Sequence, residues 1–324
     1  MNIPFSPPYI NDDVIDEVVD SLRSGWITTG PKVKALEAEI QQFSKAKEVL
    51  CVNSWTSGAI MMLRWLGVQE GDKVITTPIT FAASANCVRY CGGEVVFSDI
   101  DPSTYLLDIE KVRILLESEP KGTYKGIIPV DFAGRAVDME AFRKLADEYN
   151  LWIIEDACHA PGGYFDDSKS NIQKCGNGNF ADLAIFSFHP VKHIACGEGG
   201  MITTNDETLY KKLLALRTHG ITKNESEYCN SIEFACGQES ENQQYPGWYM
   251  EMQTLGFNYR LTDFQAALGT SQLQRADEGL MKRRLIASTY NEAFKDQSFI
   301  KSQSNVIEGH AYHLYIIEVS SFQL

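Results

Sequence analysis

Two kinds of apolar pattern alternate along the first 205 residues of the chain. Short runs of continuous apolar residues predict β-strands, and longer stretches with apolar residues every three or four positions predict helices. Residues 139–150 show the helical pattern clearly. The predicted strands cover residues 49–53, 73–77, 94–100, 125–132, 152–157, 183–188 and 200–205, and the predicted helices cover residues 57–67, 80–91, 109–118 and 139–150.

Nearly continuous apolar strands separated by helices indicate an α/β fold, in which a mainly parallel sheet is flanked by helices on both faces. Active sites in such sheets lie beyond the carboxyl ends of the strands. Polar residues follow the predicted strands at residues 53–56, 80–81, 156–159 and 187–192. We therefore expect these four segments to meet at one edge of the sheet.

The pattern changes after residue 206 and becomes mainly helical. Residues 207–220 predict a helix, a polar segment from about 222 to 250 predicts an irregular loop, and a long helical region follows from Thr262 to about Phe294. The sequence YIIEV at residues 315–319 predicts one more strand. No partner for that strand is visible in the sequence, although an isolated strand is not stable in water.

Composition and charge restrict the classes of partner. The chain has 324 residues, of which 44% are hydrophobic and 22% are charged, and its formal net charge is −14. This charge argues against nucleic acid or an anionic membrane as the main partner. The sequence predicts neither a secretory signal nor a membrane span. Its eight cysteines form no C-x-x-C pair, so we expect free thiols and a cytoplasmic protein.

One segment, FSFHPVKHIACGEGGM at residues 186–201, places Lys192 among apolar and small residues just after a predicted strand. Burying an unpaired ammonium group carries a large free-energy cost. Either the side chain therefore reaches solvent from a loop, or it lies in a site that uses a neutral amine. The local sequence favours neither interpretation.

The other strand-end groups also allow two interpretations each. The NSWTSG segment at residues 53–58 opens a helix, where N–H groups and hydroxyls can bind an anion, although ordinary helix capping is the simpler explanation. Asp156 ends a buried strand, so its carboxylate requires a structural ion pair or a contact with a cofactor. Considered singly, Phe81 and His159 are typical of a protein core.

Two further motifs are not interpreted as functional sites. His189 and His193 have the four-residue spacing of metal ligands on a helix, but Pro190 lies between them and no nearby thiol or carboxylate set completes a site. The GEGG segment at residues 197–200 lacks the G-K-[ST] ending of a phosphate loop and precedes a strand. We expect a tight turn there, and no bound metal.

Taken together, the strand-end groups form a combination suited to pyridoxal phosphate. This cofactor needs a lysine for a Schiff base, an acid that keeps its pyridine nitrogen protonated, and a helix N-terminus for its phosphate. Lys192, Asp156 and the NSWTSG segment offer these three features at one predicted sheet edge.

Several longer segments resemble the DegT/DnrJ/EryC1/StrS family of sugar aminotransferases. They are SGWITTGPKVKALEAEI at 24–40, EGDKVITTPITFAASAN at 70–86, IIPVDFAG at 127–134, IIEDACHAPGG at 153–163, FSFHPVKHIACGEGGMITTND at 186–206 and LGFNYRLTDFQAALG at 255–269. The resemblance implies the aspartate aminotransferase architecture, known as fold type I. It also implies an N-terminal segment at 1–25, a large domain that binds pyridoxal phosphate at 26–260, and a helical connection to an incomplete small C-terminal domain at 261–324.

The resemblance also assigns roles to individual residues. Lys192 would carry the cofactor as a Schiff base and move protons, and Asp156 would pair with the pyridine nitrogen. His159 would lie near the ring and its 3-hydroxyl, and Phe81 would stack on the ring. The phosphate would be held by Trp55, Thr56 and Ser187.

Further implied contacts lie away from this edge of the sheet. Asn258, or less directly Arg260, would reach the phosphate in the neighbouring subunit, because sites in the family form at a homodimer interface. Thr28, Thr29 and Gly30 belong to a segment that lies near the sugar.

The implied reaction is transfer of an amino group from L-glutamate to C4 of a UDP-linked 4-keto-6-deoxy-N-acetylhexosamine. The segment GWYMEMQTLGFNYRLTDFQAALG at 247–269 favours the branch that acts in pseudaminic acid biosynthesis. Family members with histidine in place of the lysine remove a sugar hydroxyl instead, so Lys192 favours transamination. An enzyme for another nucleotide ketosugar, linked to dTDP or GDP and aminated at C3 or C4, and a shortened non-catalytic homologue are the alternatives.

Overall fold

The protein is described by a computed structural model that covers residues 7–237, 244–302 and 307–320. Polar side chains bond to the first free N–H groups at the start of several helices, as at Asn11, Ser54, Asp108 and Asp206. The helices are α1 (Asp12–Arg23), α2 (Pro31–Ser44), α3 (Trp55–Trp65), α4 (Ala82–Tyr90), α5 (Ile109–Glu117), α6 (Met139–Tyr149), α7 (Glu207–Arg217), α8 (Ile232–Cys236), α9 (Asp263–Leu273) and α10 (Ala276–Phe294).

Seven of the strands form one central sheet, in the spatial order β1, β9, β8, β5, β4, β2, β3. The strands are β1 (Glu48–Val52), β2 (Lys73–Thr76), β3 (Glu94–Phe97), β4 (Tyr124–Ile128), β5 (Trp152–Asp156), β6 (Tyr164–Asp166), β7 (Ile172–Lys174), β8 (Leu183–Ser187), β9 (Gly200–Thr204), β10 (Ile221–Thr222), β11 (Glu251–Met252), β12 (Ile300–Ser302) and β13 (Ile317–Val319). The central sheet contains all seven strands that the apolar pattern predicts before residue 206.

The sheet is mainly parallel, as predicted, with one exception. Strands β8, β5, β4, β2 and β3 run parallel to one another, whereas β9 runs antiparallel to both β8 and β1. The loop at 188–199 turns back directly from β8 into β9, and Phe188 N donates to Gly199 O across it (2.9 Å). Because antiparallel strands can be joined without a crossover over the sheet, this loop remains at the carboxyl edge.

Buried apolar side chains pack on both faces of the central sheet. Met61, Met62 and Leu63 of α3 belong to one core with Val52 of β1 and Ile185 of β8. A second core joins residues of α2 and α9 to the loop after β8, and a third lies under α5 and α6. The helices thus cover the sheet and leave its carboxyl edge as the place where polar side chains can meet.

The part after residue 220 differs in two respects from the sequence expectation. The segment predicted as an irregular loop contains β10, a 3₁₀ turn (Glu225–Glu227), α8 and β11, while residues 238–243 of that prediction lie outside the described residues. The strand predicted in YIIEV is β13, and it does have a partner, since Ile300–Ser302 pairs with it antiparallel. The long helical region is present as α9 and α10.

The predicted domain boundary at residue 261 crosses one continuous core. Leu261, Ala266 and Leu273 pack with Val33 and Leu36 of α2. We propose the division into 1–25, 26–260 and 261–324 as a family-like organisation in which α9 packs with the large domain. Among the described residues, no helix combines the length and the apolar character that crossing a membrane requires.

Candidate active site

A cavity of about 260 Å³ opens at the carboxyl edge of the central sheet. Its walls come from the N-terminus of α3, the start of α4, the end of β5 and the loop between β8 and β9. The lining residues are Ser54, Trp55, Thr56, Phe81, Ala83, Ser84, Asp156, Cys158, Ser187, His189, Val191, Lys192, Glu198 and Gly199. The four polar segments expected to meet at one edge of the sheet therefore do meet.

Asp156 forms the floor of the cavity, where β5 ends, and its side chain is only 1% exposed. The indole Nε1 of Trp55 and the backbone N–H of Cys158 donate to its Oδ1 (3.2 Å each), and Ser84 Oγ donates to its Oδ2 (3.0 Å). Burial raises the pKa of Asp156, against the lowering effect of these donors and of the Lys192 charge. A cationic group placed in the cavity would therefore stabilise the ionised carboxylate.

Lys192 enters the cavity from the loop between β8 and β9. Its backbone N–H donates to His189 O (2.8 Å), and its Nζ lies 4.0 Å from Cys158 Sγ. The side chain is half-buried, neither fully enclosed in the core nor freely solvated. Lys192 thus lies on a loop and lines the same cavity as Asp156, and its use as a neutral amine stays a prediction.

The N-terminus of α3 supplies a place for an anion. Ser54 caps the helix by accepting from Ser57 N (3.0 Å), whereas the N–H groups of Trp55 and Thr56 have no acceptor among the described residues. Free N–H groups at the start of a helix bind phosphate or carboxylate well. Gly200 lets β9 approach closely, since a Cβ there would lie 2.7 Å from Trp55 N.

Phe81 and Ser187 complete the walls of the cavity. Phe81 is 75% exposed, so the interpretation of this residue as part of the core was wrong. An exposed aromatic ring on a cavity wall offers a flat surface to a bound ring. Ser187 is buried at the end of β8, and its Oγ accepts from His189 N at 3.4 Å.

His159 lies beside the cavity and does not line it. Its ring stacks on His313 (centroids 4.3 Å apart), and its Nδ1 accepts from Ala133 N (3.3 Å). Burial lowers the pKa of His159 to about 3, so the ring is neutral at pH 7 with its proton on Nε2. Burial also lowers the pKa of His193, to about 3, and that of His313.

The remaining sequence candidates lie outside the cavity. Asn258 is exposed and forms a β-bridge with Thr218. Thr29 Oγ1 donates to Leu261 O (2.6 Å), Gly30 N donates to Asp263 Oδ1 (2.7 Å), and Thr28 O accepts from Asp263 N (3.1 Å). Within one chain, the segment of Thr28, Thr29 and Gly30 is thus attached to the start of α9 and does not contact the cavity.

Sequence reasoning missed several residues of the site. Ser84, Cys158 and Glu198 all line the cavity, although each lies inside a segment that carries the family resemblance. A closer look at helical spacing could have found Ser84, which lies one turn after the strand-end residue Thr80 and exchanges a hydrogen bond with its hydroxyl (2.9 Å). His313 had no such signal, because its contact with His159 joins residues 154 positions apart in the chain.

A second cluster of acids lies buried behind the site. Asp131, Glu155 and Cys175 place potential ligand atoms within 4.8 Å of one another. Asp131 Oδ1 accepts from Val137 N (2.8 Å), whereas Oδ2 has no hydrogen-bond partner. Burial raises the pKa of Asp131 to about 7 and also raises that of Glu155. Two buried acids this close together do not both ionise readily, so burial favours a proton retained by the pair.

The acid pair predicts that stability decreases as the pH rises. The folded state keeps a proton on the pair of Asp131 and Glu155 well above the ordinary carboxyl range, because burial raises the pKa of both acids, whereas the unfolded chain releases it near the ordinary values of 3.8 and 4.5. The free energy contributed by this proton is complete below pH 4 and is lost as the pH approaches 7. We expect Asp131→Asn to flatten this decrease and to raise the melting temperature at pH 8 by about 2–4 °C.

Thermal melts from pH 4 to pH 8 measure this effect. The control is Asp138→Asn, which replaces the exposed cap of α6 by an equally good one and leaves the acid pair intact. Asp131→Asn curves parallel to those of the unmodified chain would show that the pair does not hold a proton.

The comparison with known families decides what this arrangement belongs to. The model of the DegT/DnrJ/EryC1/StrS aminotransferase family matches residues 8–323 of the chain. The chain belongs to this family. It is therefore an aminotransferase, and the resemblance noted in the sequence is confirmed over nearly the whole length.

Two curated proteins are similar to this family member over most of its length. The spore coat polysaccharide biosynthesis protein SpsC of Bacillus subtilis is 36% identical over 318 residues, which cover 98% of this chain and 76% of SpsC. The uncharacterized protein MJ1066 of Methanocaldococcus jannaschii is 35% identical over 315 residues, covering 96% and 75% of the two chains.

Solved structures also have the same fold. PseC of Helicobacter pylori, an aminotransferase involved in pseudaminic acid biosynthesis, superposes with a TM-score of 0.82 and 29% identity, covering 98% of this chain and 78% of PseC. The putative sugar aminotransferase Spr1654 of Streptococcus pneumoniae, in its form with pyridoxamine phosphate (PMP), superposes with a TM-score of 0.81 and 31% identity, covering 98% and 79%. The expected fold type I architecture is thus confirmed.

Proposed function

We propose that this aminotransferase uses pyridoxal phosphate to transfer the amino group of L-glutamate to C4 of a UDP-linked 4-keto-6-deoxy-N-acetylhexosamine. The observation that carries the proposal is that Lys192 and the buried acid Asp156 line the same cavity. The amino sugar nucleotide that results would serve pseudaminic acid or a related surface glycan.

The residues present fit the cofactor. The free N–H groups of Trp55 and Thr56, with Ser187, would hold its phosphate, and Phe81 would cover one face of its ring. Asp156 would meet the ring nitrogen. When bound, pyridoxal phosphate supplies an aldehyde that bonds covalently to an amine and a protonated pyridine ring that withdraws electrons from the reacting carbon.

The surroundings of Asp156 orient its carboxylate so that it can stabilise a positive charge in the cavity. Its three donors, Trp55, Ser84 and the Cys158 N–H, fix both carboxylate oxygens, so the acid cannot rotate away from the cavity. Because burial disfavours an isolated carboxylate, a cation in the cavity and Asp156 stabilise one another. The acid would thereby keep the ring nitrogen protonated.

Lys192 would perform two functions in turn. Its primary amine would anchor the cofactor through a covalent bond, and once released by the amino donor it would take a proton from one atom of the donor and return it to another. The loop position suits this exchange, since the half-buried side chain can move within the cavity while its backbone remains bonded to His189 O. His159 would contribute a neutral ring beside the cofactor.

The substrate assignment rests on relatives. PseC acts in the biosynthesis of pseudaminic acid, and SpsC in that of a spore coat polysaccharide. Both names favour a sugar as acceptor. The higher identity of SpsC, 36%, also favours a second candidate, namely amination of a different nucleotide ketosugar for another polysaccharide.

A homodimer with shared sites and a cytoplasmic location form part of the proposal. Asn258 is exposed and does not line the cavity of its own chain, which suits a contact with the phosphate in a partner subunit. The segment of Thr28, Thr29 and Gly30 would lie near the sugar of the substrate. Six of the eight free cysteines are buried, which suits a reducing compartment.

The test is a visible absorption spectrum of the chain with added pyridoxal phosphate, recorded before and after L-glutamate. We expect a yellow band that glutamate bleaches, with stoichiometric formation of 2-oxoglutarate. A panel of UDP-, dTDP- and GDP-linked ketosugars with NMR analysis of the products then separates the two substrate candidates. Absence of the band, or a band that glutamate leaves unchanged, would support the non-catalytic alternative.

A further inference from the structure

A second cavity, of about 250 Å³, lies next to the first and shares Lys192 with it. Its walls are formed by Pro7, Pro8 and Tyr9 of the N-terminal segment, by the loop after β8, and by the end of α9 with the first half of α10. The remaining lining residues include Lys192, His193, Arg275, Glu278, Lys282 and Arg283. A molecule that reacts at Lys192 could therefore extend directly into this second cavity.

The second cavity is basic although the chain as a whole is acidic. Besides Lys192, whose amine the proposed function engages with the cofactor, three basic side chains line it, Arg275, Lys282 and Arg283, against the single acid Glu278. His193 adds no charge at pH 7, because burial lowers its pKa to about 3. In a chain with a net charge of −14, this local excess of positive charge is a specific feature of the site.

Glu278 does not neutralise the cluster. Its carboxylate contacts Lys282 Nζ and lies 3.7 Å from Arg275 Nε. One negative charge is therefore shared between two positive charges. Arg283 forms no ion pair among the described residues, and it donates only to the backbone oxygens of Tyr312 and His313 (3.2 and 3.4 Å). Burial lowers the pKa of this guanidinium, so an anion placed beside it would be stabilised.

The two arginines are held in place before any ligand arrives. Arg275 lies over the ring of Tyr9, with its guanidinium carbon 3.7 Å from the ring centroid, and Gln272 Nε2 donates to Tyr9 O (2.6 Å). Arg283 is fixed by its two backbone acceptors. A fixed guanidinium loses little side-chain entropy when it binds an oxyanion.

We propose that this second cavity binds an oxyanion of a substrate whose reacting atom lies at Lys192. The inference rests on the proposed aminotransferase function and names the part of the protein that would recognise charge. Carboxylate and phosphate oxygens share the chemistry that the cluster recognises. The oxyanion is thus either the distal carboxylate of the amino donor or a phosphate of the nucleotide that carries the sugar.

Binding of unreactive probes to the enzyme loaded with pyridoxal phosphate tests the proposal. Glutarate has the two carboxylates of the donor without its amine, and uridine diphosphate has the phosphates of the acceptor without its sugar. Calorimetry would give Kd for each probe with the unmodified enzyme, Lys282→Gln and Arg275→Gln. We expect at least about fivefold weaker binding of one probe in both variants, with the smaller effect at Lys282, which is 64% exposed.

The matched control is Lys295→Gln. Lys295 follows the same helix, α10, and also contacts an acid of that helix, Glu292, but it lies about 20 Å along the helix from Lys282. Its Kd values should equal those of the unmodified enzyme. The variant removes the same charge from the chain, so it separates a local contact from a change in net charge.

The results distinguish the amino donor from the nucleotide as the origin of the oxyanion, and they test the anion site separately from the proposed function. Weaker glutarate binding assigns the cavity to the donor, and weaker binding of uridine diphosphate assigns it to the acceptor. No binding of either probe, or unchanged Kd values in both variants, overturns the anion site. Because neither probe reacts, failure of glutamate to bleach the cofactor would overturn the proposed function while leaving a positive binding result intact.

Discussion

Lys192→Ala is expected to abolish transamination, with a loss of turnover on the order of 10³-fold or more. The substitution removes the only lysine amine that lines the cavity with Asp156 among the described residues. Without it, the cofactor has no covalent attachment and no group takes the proton from the amino donor. The protein should remain folded, because the half-buried side chain has no hydrogen bond stronger than its 4.0 Å contact with Cys158.

Two measurements besides turnover identify the role of Lys192. Reduction with borohydride followed by mass spectrometry of peptides should find the cofactor fixed on Lys192 in the unmodified enzyme and on no peptide of the variant. Small exogenous amines should restore part of the lost activity, since they replace the missing base. Cofactor fixed on another lysine, or turnover close to that of the unmodified chain, would contradict the assignment.

Lys174→Ala is the matched control for this experiment. Lys174 is also a partly buried lysine, and its Nζ donates to Phe43 O (2.8 Å), away from the cavity. We expect its spectrum and turnover to match those of the unmodified enzyme, whatever small loss of stability accompanies the lost hydrogen bond.

Asp156→Asn is expected to reduce turnover by about 10²- to 10³-fold while the protein stays folded. The amide can occupy the same space with its hydrogen bonds satisfied. Its oxygen would accept from Trp55 Nε1 and Cys158 N, and its NH₂ would donate to Ser84 Oγ, which in turn can donate to Thr80 Oγ1. The charge opposite the ring nitrogen is lost, and with it the protonated state of the ring.

Stability and spectroscopy together decide between a catalytic and a structural role of Asp156. Because burial raises the pKa of this acid, the cofactor-free variant should melt at the same temperature as the unmodified chain or above it at pH 8. The visible band of the bound cofactor should shift, and a cofactor analogue with a permanent positive charge on the ring nitrogen should recover activity. An unfolded variant would instead favour a structural ion pair or hydrogen-bond network.

Local patterns were sufficient to predict the frame of the fold. All seven strands of the central sheet and helices α3, α4, α5 and α6 were predicted within a few residues, because strand and helix periodicity are properties of adjacent residues. The direction of β9 was not predicted. It depends on the return of the chain through residues 188–199 at the same edge of the sheet, which the periodicity of adjacent residues does not encode.

Much of the candidate site was also predictable, since polar residues after parallel strands converge on one edge of the sheet. Lys192, Asp156, Thr56 and Ser187 were all brought to the cavity. Trp55 shows the limit of this reasoning. It was expected to hold phosphate, and its backbone N–H is indeed free, but its indole turns inward and donates to Asp156. A sequence position specifies the backbone, whereas packing selects the rotamer.

The sequence alone determined the α/β class, the family and the residues capable of the chemistry, because each of these depends on local pattern or on segments that resemble known relatives. The tertiary structure alone decided which of those residues share a cavity and which do not. It placed His159 against His313, joined Lys192 to a basic cavity formed by α10 and the N-terminal segment, and paired β12 with β13. These contacts join positions far apart in the chain, and only the packing of the whole fold brings them together.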